Sequence, residues 1–374
     1  MKWIALLSIG ISLALAERVD PPTGPESGMA NVATGPDGSV YLSWIEPLGP
    51  AGHALKFSKW TGKGWTPAEE VARGKRWFVN WADFPAVAVQ PNGLMVAHWL
   101  TRPDDAGKYG YGIRVARRDG PGKWTQIFGK SLDEKEDYAG FLSFVPDGTG
   151  AVYLAPSAVE HRKTLRYLAL DGQGQAIDDR ELDADVCSCC QTTVVKTPGG
   201  LLAAYRDHQP GEIRDIALVR WTAGTWTAPR TAHPDGWKIN GCPTDGPAMA
   251  ANGPHVSLAW LTRAQDNPRV QLLQSNNGGT TFGPPLRVDD GNPLGRPAVA
   301  ADVVVWLEKT SVEKAEVRLR RITPDGRLRK SITVAQVPGG RAPGVPKVAI
   351  AGNQVLVVWR DGTVRVAAFK KSDL

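Results

Sequence analysis

The segment Val256-Ser257-Leu258-Ala259-Trp260 has the composition of a short buried β-strand that ends in an aromatic residue, and it recurs along the chain. A polar turn follows the aromatic residue in each copy, as at the end of a strand. The related segments are Val40-Tyr41-Leu42-Ser43-Trp44, Met95-Val96-Ala97-His98-Trp99, Leu201-Leu202-Ala203-Ala204-Tyr205, Val303-Val304-Val305-Trp306, Val355-Leu356-Val357-Val358-Trp359 and a weaker copy that ends at Leu154. Their ends are 46–55 residues apart, which indicates a repeated architecture.

Each repeat has room for four strands. An apolar strand precedes the segment that ends in the aromatic residue, and the two are joined by a turn such as Pro36-Asp37-Gly38. A third strand follows, as at residues 113–116, and a turn such as Gly224-Thr225-Trp226 leads into the fourth. Four antiparallel strands in about 50 residues make one propeller blade, which must pack against neighbouring blades to bury both of its faces. The sequence therefore predicts an all-β, seven-bladed β-propeller.

The last repeat, residues 346–369, is long enough for only three strands. We expect residues 17–21 to supply the fourth strand and to close the ring by pairing the two ends of the chain. The alternative is a six-bladed, sialidase-like propeller with an extra N-terminal hairpin.

The first residues have the features of a secretory signal peptide. Lys2 precedes an apolar segment at residues 3–15, and Ala14-Leu15-Ala16 matches a cleavage site. We expect residues 1–16 to be removed and residues 17–374 to form one propeller domain, periplasmic or secreted, with no membrane span after cleavage. The 44 basic and 38 acidic residues are dispersed along the chain, which argues against nucleic-acid binding. A monomer is expected.

Residues 187–247 hold most of the chemically distinctive side chains. In a propeller, the loops between second and third strands emerge on the same face as the loops that enter each blade. A glycosidase needs a carboxyl group to protonate the leaving oxygen and a carboxylate or tyrosine to stabilise the developing positive charge. The candidates for these roles are Tyr205, Asp207, Glu212 and Asp245. The candidates for binding substrate, by charge or by aromatic stacking, are Trp81, Asp83, Arg206, His208, Arg214, Arg263 and Arg360.

All four cysteines lie in the same region, at Cys187, Cys189, Cys190 and Cys242. In an exported protein an even number of cysteines favours disulfides, and two bridges are the expected arrangement, with Cys242 beside the other three. A bond between the adjacent Cys189 and Cys190 would be strained. The alternatives are a soft-metal site for copper or zinc and a redox-active thiol pair. With disulfides, no cofactor is expected.

One segment resembles a known family. Ser275-Asn276-Asn277-Gly278-Gly279-Thr280-Thr281-Phe282 is similar to the Asp-box of BNR-repeat, sialidase-like propellers, with Asn in place of Asp and Phe in place of Trp. The four-cysteine pattern also resembles secreted bacterial proteins of this type. The resemblance implies a sialidase-like propeller and a structural role for the box. It does not extend to the catalytic residues, because the Arg-Ile-Pro-type motif of the family's first blade is absent.

Three functions are consistent with these features. The first is a carbohydrate-active or glycan-binding propeller, such as a glycoside hydrolase or lyase, with its site at the rim of blades four and five and a glycan or small anionic ligand. The second is a non-enzymatic scaffold that binds an envelope protein, since a propeller fold does not by itself imply catalysis. The third is a metal-binding protein based on the four cysteines.

Overall fold

The structure, a computed structural model, describes residues 16–104, 106–107, 109–130, 137–159 and 162–374. These residues form seven separate antiparallel sheets, which confirms the seven-bladed propeller and excludes the six-bladed alternative. The predicted signal peptide lies outside the described residues, apart from Ala16. Within the described part of the chain, no helix is long and apolar enough to cross a bilayer.

The strands follow the repeat that the sequence predicts, and β1 (Glu17–Arg18) precedes the first complete blade. Blade one comprises β2 (Gly28–Thr34), β3 (Val40–Pro47), β4 (His53–Lys59) and β5 (Glu69–Gly74). Blade two comprises β6 (Ala86–Val89), β7 (Met95–Thr101), β8 (Gly112–Gly120) and β9 (Lys123–Lys130). Blade three comprises β10 (Gly140–Phe144), β11 (Gly150–Pro156), β12 (Lys163–Leu170) and β13 (Ala176–Val186).

Among the described residues, blade four is the only blade whose outer edge consists of two short strands, which both pair with its third strand. It comprises β14 (Thr193–Thr197), β15 (Gly200–Arg206), β16 (Ile216–Thr222), β17 (Thr225–Trp226) and β18 (Arg230–Thr231). Blade five comprises β19 (Ala248–Asn252), β20 (His255–Thr262), β21 (Arg269–Ser275) and β22 (Leu286–Arg287). Blade six comprises β23 (Pro293–Ala300), β24 (Val303–Lys309), β25 (Lys314–Arg321) and β26 (Ile332–Pro338). Blade seven contains β27 (Lys347–Ala351), β28 (Gln354–Asp361) and β29 (Thr363–Lys370).

The N-terminal strand completes blade seven, as predicted. Glu17 pairs with Ala368 and Arg18 with Ala367, so that β1 forms the outer edge of the β27–β28–β29 sheet. The N–H of Val19 then donates to the carbonyl of Val366 at 3.0 Å. The first and last strands of the chain therefore close the ring together.

The tryptophans of the second strands pack in the core between blades, as their period predicts, although β3, β20 and β24 each continue two or three residues beyond the tryptophan. Trp44, Trp260 and Trp306 are fully buried. Each buried indole N–H needs an acceptor. Trp306 Nε1 donates to Glu308 at 2.7 Å, and Trp260 Nε1 donates to Asp235 at 2.6 Å.

The segment that resembles an Asp-box forms the turn between β21 and β22. Ser275 Oγ accepts from the N–H of Gly279 at 2.9 Å, and Asn277 Oδ1 accepts from the N–H of Thr281 at 3.0 Å. Ser275 Oγ also donates to Asn277 Oδ1 at 2.8 Å. These bonds within the turn are consistent with a structural role.

Candidate functional site

The loops that enter the blades and the loops between second and third strands share one end of the propeller, because all sheets are antiparallel meanders. We call this end the entry face; its blade-entry loops are residues 19–27, 75–85, 137–139, 187–192, 232–247, 288–292 and 339–346. The first strands of all seven blades line a central channel of about 650 Å³, whose lining includes Phe84, Gln191 and Val345 at the entry face. We call this end of the channel its mouth. The turn at residues 276–285 lies at the opposite end.

Arg206 ends β15 and is buried, only 2% exposed. Its guanidinium donates to the main-chain carbonyls of Asp245 at 2.8 Å and 3.0 Å, of Arg214 at 2.6 Å and of Leu261 at 2.8 Å. One face of the guanidinium stacks on the Trp237 ring, 4.7 Å from its centroid. This geometry favours a structural role, joining blades four and five, over the substrate contact that its sequence position suggests.

His208 lies on the same loop and connects it to β13 through a chain of polar contacts. Its Nδ1 lies 2.7 Å from Asp185 Oδ1, and its Nε2 lies 3.3 Å from Glu212 Oε1. Glu212 in turn accepts from Arg214 Nη2 at 2.5 Å. The Arg214 bond, followed by the His208 bond, lowers the pKa of Glu212. An ionised Glu212 can accept protons or hydrogen bonds, but it is poorly suited to be the general acid.

Tyr205 and Asp207 both lie near the carboxyl group of Asp183 on β13. The hydroxyl of Tyr205 donates to Asp183 Oδ2, and the N–H of His208 donates to Asp207 Oδ1 at 2.8 Å. Burial and the neighbouring Asp183 raise the pKa of Asp207. Burial and Asp183 also raise the pKa of Tyr205, which keeps the phenol protonated. Asp207 is therefore the better proton donor of these two predicted catalytic residues.

Asp245 is buried between blades five and six. Its Oδ2 accepts from the N–H of Arg296 at 2.8 Å, while its Oδ1 has no hydrogen-bond partner among the described residues. Burial raises its pKa to about 6. Gly295 has a positive φ of 102°, and a Cβ there would lie only 2.4 Å from Asp245 Oδ2. The loop thus requires glycine so that it can wrap around this carboxyl group.

Trp81 forms the floor of a basic region at the channel mouth. The guanidinium of Arg296 lies 4.2 Å from the centroid of the Trp81 ring, and that of Arg341 lies 5.8 Å from it. A cavity of about 260 Å³ is lined by Trp81, Arg341 and Arg360. Arg263 lies near Asp245, where its positive charge opposes the rise in the pKa of that carboxyl group. Trp81 and Arg360 are thus together, away from the blade-four loop.

Asp83 lies below this region and is fully buried. Its Oδ2 accepts from the Tyr111 hydroxyl at 2.9 Å, and its Oδ1 accepts from the N–H of Phe141 at 2.9 Å. Burial raises the pKa of Asp83 to about 7, although both hydrogen bonds oppose the shift. A Cβ on Gly140 would lie 2.2 Å from Asp83 Oδ2. Glycine at this position therefore allows the Asp83 carboxyl group to pack against the main chain of residue 140. These contacts favour a structural role for Asp83.

We expect the contribution of Asp83 to the stability of the protein to fall as the pH rises from about 4 to 7. The unfolded carboxyl group loses its proton near its ordinary pKa of 3.8, whereas the folded one keeps it up to about 7. The unfolded state therefore binds fewer protons in this window, and the slope is up to about 1.4 kcal/mol per pH unit. Urea unfolding of wild type and Asp83→Asn across this range measures it; equal slopes for the two proteins would contradict the assignment.

The cysteines converge on the entry face. The sulfur atoms of Cys187, Cys189 and Cys190 lie within 4.8 Å of one another, with 3.7 Å between those of Cys187 and Cys190. Cys242 approaches from the next blade and interacts with Cys189, and its sulfur lies 4.0 Å from Ser188 Oγ. The predicted proximity of Cys242 is confirmed. All four cysteines are free, so the expected pair of disulfides is not formed in this structure.

The thiols have different electrostatic surroundings. Hydrogen bonds from Cys189 and Cys190, together with the nearby charge of Arg206, lower the pKa of Cys187 well below its usual range. Hydrogen bonding from Cys189 lowers the pKa of Cys242 to about 6. The cluster thus favours thiolate at two of its four positions.

Several residues of the entry face were not predicted from sequence. Arg296 and Arg341 border Trp81, and Asp183 and Asp185 reach the blade-four loop from β13. Lys347 lines the channel, with its Nζ 3.6 Å from the centroid of the Phe84 ring, and burial lowers its pKa to about 7. A search of all blade-entry positions for charged residues could have found Arg341. Nothing in the sequence near β13 indicates contact with the next blade.

No protein-family model and no curated protein sequence matches the chain. Among solved structures, a PL25-family ulvan lyase bound to its saccharide is similar over 95% of this chain and 96% of its own, with a TM-score of 0.56 and 12% identity. An α-L-arabinofuranosidase from Fusarium graminearum is similar over 96% and 98%, with a TM-score of 0.53 and 14% identity.

The Hadza microbial sialidase Hz136 is similar over 93% of this chain, with a TM-score of 0.50 and 13% identity. The chain covers 66% of that sialidase, just under two thirds of its length. These three neighbours are carbohydrate-active enzymes built on propellers. At such low identity the likeness shows the shared fold alone, because one fold hosts many functions.

Proposed function

We propose that this protein is an exported, periplasmic or secreted propeller that binds an acidic glycan on its entry face. The observation that carries the proposal is the 260 Å³ cavity lined by Trp81, Arg341 and Arg360 at the channel mouth. A tryptophan ring and guanidinium groups together suit a sugar that bears a carboxylate or sulfate. The fold that the chain shares with three carbohydrate-active enzymes supports a glycan as the ligand class.

The arginines of this cavity retain donors for a ligand. Arg360 donates from Nε to the carbonyl of Ser27 at 3.3 Å and from Nη1 to that of Ala342 at 3.2 Å. These bonds hold its guanidinium in place, and no described residue forms a hydrogen bond with Nη2. Arg341 is exposed beside the same cavity. A positioned guanidinium can bind a carboxylate or sulfate in bidentate fashion.

The floor of the cavity is built from rigid parts. Arg296 stacks under Trp81 and donates to the carbonyls of Gly344 at 2.8 Å and Gly340 at 2.7 Å. It thereby fixes the loop that carries Arg341. Burial lowers the pKa of Arg296 to about 10, so this side chain is still charged at neutral pH. The site is preorganised, which reduces the entropy lost when a ligand binds.

A glycoside hydrolase or lyase activity is the second candidate, and the pair of acidic residues Asp183 and Asp207 favours it. In this proposal Asp207 donates the proton to the leaving oxygen, and Glu212 and Asp245 assist from the same face. A glycan held at Trp81 would extend across the channel mouth toward the rim of blades four and five. Loss of turnover in Asp207→Asn with retained glycan binding would support this activity.

We expect Arg341→Ala and Arg360→Ala each to weaken acidic-glycan binding by about 10- to 100-fold, since a charge-assisted hydrogen bond contributes about 1.5–3 kcal/mol. Calorimetric titration against uronate-containing, sulfated, sialylated and neutral glycans measures the effect. Arg327→Ala is the matched control, because its side chain is 84% exposed on the opposite end of blade six.

Binding to none of the acidic glycans would contradict the proposal, as would equal affinities for wild type and both variants. Stoichiometric recovery of an envelope protein in that case would favour the scaffold function instead.

A further inference from the structure

Three cysteine thiols and a fourth from the next blade form a cluster that the glycan proposal does not use. Cys187, Cys189 and Cys190 come from one short entry loop, and their sulfur atoms lie within 4.8 Å of one another. Cys242 comes from the entry loop of blade five and interacts with Cys189. A single loop supplies three potential ligands, and the fourth links two blades.

The distance between the sulfur atoms of Cys187 and Cys190 matches that between two ligands of one metal ion. With metal–sulfur bonds of about 2.3 Å, the sulfur atoms of a tetrahedral or trigonal thiolate site are about 3.8–4.0 Å apart. The sulfur atoms of Cys187 and Cys190 are 3.7 Å apart. A disulfide would require one sulfur to move against another to about 2.0 Å and would leave the group divided into pairs. The three thiols of the blade-four loop instead lie within 4.8 Å of one another, with Cys242 next to Cys189.

The charges around the cluster also favour thiolates around a cation. The guanidinium of Arg206 is buried, and its hydrogen bonds go to neutral main-chain carbonyls. Its charge acts on Cys187 and Cys190, and Arg214 interacts with Cys187. A monovalent cation with three thiolates, or a divalent cation with four, has a net charge of −2. The buried guanidinium of Arg206 offsets part of that charge, whereas Arg214 is already paired with Glu212.

We propose that Cys187, Cys189, Cys190 and Cys242 bind a thiophilic d¹⁰ cation, Zn²⁺ or Cu⁺, that joins the entry loops of blades four and five. Thiolate ligands select such soft or borderline cations over Mg²⁺ and Ca²⁺. Zn²⁺ uses all four sulfur atoms in a tetrahedron. Cu⁺ uses the three sulfur atoms of the blade-four loop, with Cys242 outside the first coordination shell.

The surroundings of the cluster are ordered by contacts from neighbouring blades. The Tyr138 hydroxyl donates to the carbonyl of Ser188, within the cysteine loop. Gln191 follows the loop, donates to the carbonyl of Ala82 at 2.6 Å and accepts from the N–H of Gly246 at 2.8 Å. The loop is thus tied to blades two, three and five before any metal binds. Such outer contacts orient the ligands of a metal site.

The test is metal titration of the full-length mature protein, reduced and handled without oxygen, with Zn²⁺ and Cu⁺ in separate arms. We expect one equivalent of metal by elemental analysis after gel filtration, and protection of the cluster from thiol alkylation. Cys187→Ser with Cys190→Ser should abolish stoichiometric binding of both metals. Cys242→Ser, at the exposed position, should weaken Zn²⁺ binding at least tenfold and leave Cu⁺ binding unchanged. The melting temperature of each metal-free variant provides the folding control.

Three results would overturn the proposal. The first is no stoichiometric binding of either metal to the reduced wild type. The second is equal binding by wild type and a folded Cys187→Ser, Cys190→Ser variant. The third is two disulfides in the protein isolated without reductant, shown by intact mass before and after alkylation. None of these results depends on a glycan, so this proposal and the glycan proposal can fail separately.

Discussion

Replacing Arg206 with methionine is expected to lower the free energy of unfolding by about 3 kcal/mol or more. The guanidinium satisfies the carbonyls of Asp245, Arg214 and Leu261, and each buried acceptor left without a partner costs about 1–3 kcal/mol. Methionine fills much of the volume but cannot donate to any of them. Chemical denaturation of wild type and variant at one pH measures the difference.

Arg327→Met is the control for the general effect of removing an arginine. Its side chain is 84% exposed and, among the residues that the structure describes, forms an ion pair with the neighbouring loop residue Asp325 alone. Exposed ion pairs contribute little, so this variant should unfold within about 0.5 kcal/mol of wild type. If Arg206→Met unfolds at the same denaturant concentration as Arg327→Met, Arg206 does not join the two blades and a ligand-binding role regains support.

Removal of residues 17–20 from the mature protein is the second change with a large expected effect. It deletes β1, exposes the apolar surface that buries Val19, and breaks the bond from Trp65 Nε1 to the Val19 carbonyl, 2.7 Å long. It also removes Asp20, which accepts from the N–H of Val366 at 3.0 Å. Burial of a valine contributes about 1.5–3 kcal/mol and each hydrogen bond about 0.5–1.5 kcal/mol. We expect a loss of at least about 3 kcal/mol.

The matched control is Glu17→Ala, which keeps the strand and removes only an exposed side chain. It should unfold like wild type, whereas the shortened protein should unfold at lower denaturant concentration and exchange the amide hydrogens of β29 faster. Equal protection of β29 in the two proteins would show that blade seven is stable without its fourth strand.

The fold could be predicted from sequence because every blade buries the same kind of surface. The second strands contain Trp44, Trp260 and Trp306, which are all fully buried, and the period of these aromatic residues gives the number of blades directly. The three-strand length of the last repeat also predicts the closing role of Glu17 and Arg18. These features are local patterns that recur, so one sequence is sufficient to detect them.

The site could be predicted only in part, because position on a face does not determine where a side chain points. Arg206 follows the aromatic residue of its blade, which places it at the rim, yet its side chain turns inward to three carbonyls. Asp183 lies on an outer strand and contacts Tyr205 of the next blade. The meeting of Cys242 with Cys189 was predictable, since both belong to loops that enter adjacent blades.

The pairing of β1 with β29 also has a consequence for the order of folding. The partners Glu17 and Ala368 stand at opposite ends of the chain, so blade seven cannot be completed until nearly all of the polypeptide has been synthesised. Contacts between such distant residues are slow to form, since a long loop must close first. The other six blades can assemble from neighbouring segments while the chain is still growing. We therefore expect closure of the ring to be the last step of folding, and a nascent chain that lacks its final strand to remain an open arc.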